Sequence, residues 1–172
     1  MHAILRVTCI GILLMLTACE KSRKLVPLLP DAPAGWNVEG QVTNQDVSGV
    51  GYSSMRSYIP AASITGSSIQ RVKVQILVPA NGAKDADLKK MHLVGGPAFW
   101  EQTKVNGFDA LETFVIPGES EALVVYPRSG TFVEIVVYYS NPGSDSDGLE
   151  KGKAIALAFA DKIDFKQIAA LN

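Results

Sequence analysis

The chain is poor in the side chains that most often perform chemistry at neutral pH. Its 172 residues include only two cysteines and two histidines, and the histidines stand far apart in sequence, at His2 and His92. Clusters of histidine and cysteine with metal-ligand spacing are therefore excluded. A serine hydrolase would have to use His92, but no Gly-x-Ser-x-Gly nucleophile elbow accompanies it. We predict no metal, no cofactor and no catalytic residue.

The chain also lacks a strong charge of either sign. Sixteen Lys and Arg stand against 17 Asp and Glu, for a net charge of -1 at pH 7. The basic side chains form only one small cluster, at Lys21, Arg23 and Lys24. With so little positive charge, the chain is not expected to bind nucleic acid.

Long apolar runs are scarce as well, and the amino terminus is the exception. A start with one positive charge, Arg6, leads through a mostly apolar stretch to Leu16-Thr17-Ala18-Cys19. The run is too short to span a bilayer. Its order of charged start, apolar centre and small residues before a cysteine resembles the signal peptide of a bacterial lipoprotein. The resemblance implies that residues 1–18 are a signal peptide and that Cys19 carries diacylglyceryl and N-acyl (palmitate-like) chains.

This resemblance also implies a location. Two or three acyl chains hold a protein at the bilayer surface without crossing it. In one common sorting scheme an aspartate after the lipidated cysteine retains the protein in the inner membrane, whereas this chain has Glu20. The outer membrane, with the protein facing the periplasm, is therefore favoured. Lys21, Arg23 and Lys24 would lie beside the anchor, where they either attract anionic lipid headgroups or belong to a solvated linker.

The residues after the signal are predicted to form a linker and one domain. About 150 residues remain, enough to bury a core without disulfides. Because Cys9 leaves with the signal and Cys19 takes the lipid, neither a disulfide nor a free thiol remains. Three prolines within Leu25–Pro33 predict a semi-rigid, extended spacer. We expect a lipid-anchored, proline-rich linker over 19–33 and a single α+β domain over 34–172.

The pattern of strands and turns in this domain predicts a twisted, mainly antiparallel sheet. Short connections such as Asn106-Gly107, a hairpin signal, exclude parallel crossovers. Residues 131–139 are apolar on both faces, which predicts a central strand. Helices are expected to pack on the sheet. Strands are predicted at 49–59, 69–78, 99–105, 108–116, 121–126 and 131–140, and helices at 84–93 and 149–163 with a last turn at 164–171. The fold class is α+β, with about six to seven strands flanked by two helices.

The order of these elements resembles the PsbP-like sandwich of small secreted and lipid-anchored proteins. The segments Leu29-Pro30-Asp31-Ala32-Pro33-Ala34-Gly35-Trp36 and Val105-Asn106-Gly107-Phe108-Asp109-Ala110-Leu111-Glu112 are similar to segments of bacterial lipoproteins of that shape. They consist of turn and core residues, so the resemblance implies a fold and transfers no catalytic residue. Proteins of this shape are more often binding or assembly factors than enzymes.

One group of charged residues is left as a candidate site. Arg71 and Lys73 on one predicted strand, Glu112 on another and Glu134 on the central strand would form a charged patch if they shared a face of the sheet. Glu134 stands out because a carboxylate among apolar residues needs a partner or a shifted pKa. A cross-strand ion pair is the alternative to a ligand site.

Together these features predict a lipid-anchored periplasmic lipoprotein that acts as a non-catalytic binding or envelope-assembly module, with the membrane and an envelope protein as partners. A carrier of a hydrophobic ligand is one alternative, and it requires a large apolar pocket between sheet and helix. A cell-envelope hydrolase with Glu112 and Glu134 as acid and base is another, and it requires carboxylates within about ten ångströms. A flat surface with an apolar patch would favour protein binding.

Overall fold

The computed structural model describes residues 20–61, 69–81, 83, 100–115, 120–139 and 146–171. Its main element is a seven-stranded sheet in which all neighbouring strands are antiparallel. The strands are β1 (Trp36–Val47), β2 (Gly51–Pro60), β3 (Ile69–Pro79), β4 (Trp100–Val105), β5 (Phe108–Val115), β6 (Ser120–Arg128) and β7 (Thr131–Tyr139). Two helices follow, α1 (Ser146–Ala160) and α2 (Phe165–Ala169). The predicted α+β class and antiparallel sheet are confirmed.

The order of strands across the sheet is β1-β2-β3-β7-β6-β5-β4. The strand β7 is therefore central, as its apolar residues on both faces predicted, and β1 and β4 form the two edges. The β4–β5 hairpin turns at Asn106 and Gly107, whose φ angles are 51° and 85°. Both residues tolerate the positive φ that a two-residue hairpin turn requires, so this turn follows directly from the sequence.

The main core lies on the face of the sheet that carries the helices, which we call the helix face. Alternate residues of β3, β6 and β7 point to it and are buried, as the period of two in a strand requires. Phe159 of α1 is fully buried and meets the rings of Trp36 and Tyr58 edge-on, at centroid distances of 5.3 and 4.7 Å. The core on this face includes Val72, Val74, Ile76, Leu123, Val125, Val133, Ile135, Val137, Ala156, Ala160, Phe165 and Ile168.

The segment after the predicted anchor is part of this core, which corrects the predicted linker over 19–33. Leu25 has no exposed surface, and Leu28 and Leu29 are buried in the same cluster. A short 3-10 helix, Val26–Leu28, places these leucines against the sheet. The leucines between the prolines are apolar, and burying their side chains in the core is more favourable than exposing them to water in a spacer.

The remaining differences from the predicted elements have local causes. The edge strand β1 was not predicted because its residues are largely polar and its pairing is interrupted by an irregularity between Glu39 and Thr43. The final helices match α1 and α2 with small shifts at their ends. The helix predicted over 84–93 and the signal peptide with Cys19 lie outside the described residues. In the part of the chain that the structure describes, no helix is long and apolar enough to cross a membrane.

Candidate functional site

The four residues of the predicted charged patch do not share one face of the sheet. Glu112 pairs with Leu123, and Leu123 pairs with Ile135. Because neighbouring residues of a strand point to opposite faces, Glu134 lies on the face opposite to Glu112. The prediction of a common patch is therefore wrong for Glu112. The hypothesis that these two carboxylates act as acid and base on one substrate loses its geometric basis.

On the face opposite the helices, the other three residues of the patch are engaged with the sheet. Arg71 forms a half-exposed ion pair with Glu39 of β1, at 2.7 Å from Nε to Oε2 and with a second contact of 2.9 Å. The Lys73 ammonium lies 5.1 Å from the centre of the Tyr138 ring. Glu134 is fully buried. The burial of Tyr138 raises the pKa of its hydroxyl, and the charge of Glu134 raises it further. The ion pair of Arg71 is thus formed with Glu39, a residue outside the predicted patch.

The helix face carries a second buried carboxylate beside Glu112. Glu121 is the second residue of β6, in phase with Leu123, and is 1% exposed, while Glu112 is 4% exposed. The Tyr139 hydroxyl donates a hydrogen bond to Glu121 Oε2 at 3.1 Å. Lys153 of α1 places its Nζ atom 2.8 Å from Glu112 Oε2. We call Glu112, Glu121, Tyr139 and Lys153 the carboxyl centre.

The electrostatics of the carboxyl centre bring the protonation of Glu121 close to neutral pH. Burial raises the pKa of Glu121 from 4.5 to about 7, against the lowering effect of the Tyr139 hydrogen bond, and the charge of Glu112 raises it further. Glu121 Oε1 is buried and faces no hydrogen-bond donor among the described residues, whereas the Glu112 carboxyl is its neighbour. A protonated Glu121 can donate to Glu112.

A glycine lets α1 approach this centre closely. At Gly152 a Cβ atom would overlap the Tyr139 hydroxyl and Glu121 Oε2. Glycine in a helix interior is unfavourable by about 1 kcal/mol relative to alanine. Here its lack of a side chain allows the helix backbone to cover the hydrogen bond between Tyr139 and Glu121, and the neighbouring residue Lys153 to reach Glu112.

The cavity at the carboxyl centre is small. Its volume is about 110 Å³, and its lining includes Thr103, Leu123 and Leu157 together with the two carboxylates and Lys153. Pockets for small organic ligands usually enclose about 300–1,000 Å³. This cavity is therefore too small for an acyl chain, and it gives the carrier alternative no support.

Two larger hollows adjoin each other on the surface, at the end of the sheet formed by β4, β5 and β6. Their volumes are about 490 and 640 Å³, and both are lined by Lys104, Asp109 and Tyr126. Lys104 and Asp109 form an exposed ion pair at 3.2 Å. Among the described residues only Val38 and Leu157 are large, apolar and exposed, and they lie on separate elements. The lining of the two hollows thus combines a charged pair with an aromatic ring. Val38 and Leu157 do not form the flat apolar patch that was expected for protein binding.

Comparisons with known proteins identify no relative of this chain. The chain matches no protein-family model, and searches of curated proteins and of solved structures give no significant match. In the described part of the chain, no three His, Cys, Asp or Glu side chains come together in a way that would hold a metal ion.

Proposed function

We propose that the protein is a lipid-anchored lipoprotein of the bacterial cell envelope, facing the periplasm from the outer membrane, and that it acts as a non-catalytic binding or assembly module. The observation that carries the proposal is the sequence Leu16-Thr17-Ala18-Cys19 after a charged start and an apolar stretch. A folded segment begins directly after it, with Ser22 and Leu25 already buried. This order is what a domain tethered by its first residue needs.

The chemistry of the buried carboxylates also supports binding over catalysis. Glu112 and Glu134 point to opposite faces of the sheet, so they cannot flank one scissile bond. Glu112 and Glu121 do lie together, but Lys153 and Tyr139 hold them beneath α1 beside a cavity of about 110 Å³. A cavity of this size is smaller than the pockets that usually enclose a substrate.

The paired hollows at the β4–β5–β6 end supply the surface for a partner. Tyrosine and arginine are enriched at the centres of protein interfaces, and Tyr126 and Arg128 both line this region. The Arg128 guanidinium is held by Thr131 and by the carbonyl of Leu171. A side chain held in this way loses little freedom on binding, which favours a partner protein at this place.

The test is crosslinking in membranes followed by pull-down and intact-mass measurement. We expect the wild-type protein to carry acyl chains on Cys19, to fractionate with the membrane and to yield a defined envelope protein. The Cys19→Ala variant is expected to be soluble. Tyr126→Ala with Lys104→Glu should lose the partner, whereas Lys162→Glu, a charge reversal at an exposed position just after α1, should retain it. A Cys19→Ala protein that stays in the membrane would show the anchor to be wrong, and a lipidated protein with no partner would contradict the binding role.

A further inference from the structure

The amino-terminal segment is clasped by alternate residues of β2. The Ser54 hydroxyl donates to the Ser22 carbonyl at 2.6 Å. The Pro30 carbonyl accepts hydrogen bonds from the Arg56 guanidinium at 3.0 Å and from the Tyr58 hydroxyl at 2.5 Å. Because these three side chains alternate along one strand, they point to the same face. The segment is thus fixed to the helix face at both of its ends.

This clasp leaves almost no free chain between the predicted lipid and the domain. Only Glu20 and Lys21 separate Cys19 from Ser22, which is 1% exposed. An extended chain spans at most about 3.6 Å per residue, so the acylated residue lies within about 11 Å of Ser22. This distance is close to the Debye length of about 8–10 Å at physiological salt. The surface around Ser22 therefore stays within electrostatic reach of the lipid headgroups.

The side chains around this point carry the charge that a bacterial bilayer attracts. Lys21, Arg23 and Lys24 are all exposed, and Glu20 is the one carboxylate among residues 20–24. Each cation near an anionic bilayer contributes about 1 kcal/mol, which corresponds to about a fivefold change in a binding equilibrium. The three cations act together, because the hydrogen bonds from β2 fix this segment to one rigid domain.

We infer that Lys21, Arg23 and Lys24 bind the anionic headgroups of the phospholipid bilayer that carries the anchor, and so hold the domain in one orientation. The inference rests on the proposed lipid anchor. The β1–β2 side of the sheet is then nearest to the bilayer. The far edge, β4, lies six strand spacings from β1, or about 29 Å across the sheet. The hollows at the β4–β5–β6 end are thereby presented away from the membrane, where a partner protein can reach them.

The test measures the distance of two points of the lipidated protein from the bilayer. Because the predicted mature chain has no free thiol, Gln45→Cys on β1 and Gln102→Cys on β4, both exposed positions, can each carry a single donor dye. The protein is reconstituted into vesicles of phosphatidylcholine with phosphatidylglycerol and acceptor-labelled headgroups. We expect clearly greater energy transfer from position 45 than from position 102. The difference should shrink in vesicles of phosphatidylcholine alone and at high salt.

A charge variant and its matched control separate docking from tethering. The triple variant Lys21→Gln, Arg23→Gln, Lys24→Gln should weaken the docking equilibrium by about fivefold per cation and reduce the difference between the two positions. The control replaces three exposed lysines elsewhere, Lys151, Lys162 and Lys166, by glutamine. It should leave the difference in energy transfer between positions 45 and 102 unchanged. Equal transfer from both positions in a protein with acylated Cys19 would overturn the docking alone. An unmodified Cys19 by intact mass would overturn the anchor and the docking with it.

Discussion

Replacing Glu121 by glutamine should remove a pH dependence from the stability of the domain. In the folded protein burial raises the pKa of Glu121 from 4.5 to about 7. The unfolded chain therefore loses this proton at lower pH than the folded one. Between pH 4.5 and 7 the folded state binds more protons, and stability falls as the pH rises. The contribution is fully present below pH 4.5 and is lost as the pH passes through 7.

The size of this effect follows from the difference between the two pKa values. At about 1.4 kcal/mol per pKa unit, a rise from 4.5 to about 7 corresponds to on the order of 3 kcal/mol. A glutamine is neutral at every pH and has the shape of the protonated acid. Its amide can donate to Glu112 and accept from the Tyr139 hydroxyl, as protonated Glu121 does. We expect Glu121→Gln to differ from the wild type by less than about 1 kcal/mol at pH 5 and to be more stable at pH 8, by on the order of 3 kcal/mol.

Urea unfolding of the Cys19→Ala protein at pH 5 and pH 8 measures the effect. The quantity of interest is the difference between variant and wild type at each pH, because other titrating groups contribute equally to both. Glu39→Gln is the control: it removes a carboxylate from the half-exposed ion pair with Arg71 and should change stability by less than about 1 kcal/mol at either pH. A Glu121→Gln variant that is less stable than the wild type at pH 8 would refute the raised pKa of Glu121 in the folded protein.

Two further substitutions test the packing of α1 and of the amino-terminal segment. Gly152→Ala should lower the melting temperature because its Cβ would overlap Tyr139 and Glu121, although alanine favours a helix by about 1 kcal/mol. The control Lys151→Ala, at the exposed neighbour, should leave the melting temperature nearly unchanged. A Gly152→Ala protein that is more stable than the wild type would contradict the close approach of α1 to the sheet. Leu25→Ala should cost about 2–5 kcal/mol in urea unfolding, the usual range for a buried leucine. Lys24→Ala, at the exposed neighbour, should cost less than about 0.5 kcal/mol, and equal small effects of the two would mean that the segment is a linker after all.

Much of the sheet follows from the sequence because its signals are local. The alternation of Val72, Val74, Ile76 and Val78 predicted β3, and Asn106-Gly107 predicted the β4–β5 turn. The edge strand β1 gives no such signal. Its residues are largely polar and show no alternation of apolar side chains. It forms a strand because it pairs with β2, and this pairing is not visible in the sequence of β1 alone.

The candidate site was only partly predictable, for a reason of register. Glu112 was identified, but which face it shared with other charged residues depends on the pairing of β5 with β6 and of β6 with β7, which a single strand does not specify. Glu121 did carry a signal: it stands two and four residues before Leu123 and Val125, in phase with the buried face. A carboxylate in phase with buried residues needs a partner or a shifted pKa, as Glu134 does.

The segment that follows the proposed anchor belongs to the core, which the prolines did not suggest. If Leu25–Pro33 were a spacer, lipid attachment and folding would be independent, and the domain would sample all orientations above the bilayer. The buried leucines and the hydrogen bonds from Ser54, Arg56 and Tyr58 make the same segment a part of the fold. In the proposed arrangement, attachment at Cys19 would then restrain the position of the whole sheet. In the proposed arrangement the membrane-proximal and the partner-facing sides of the domain are opposite edges of one rigid sheet, so the lipid determines where the partner can bind.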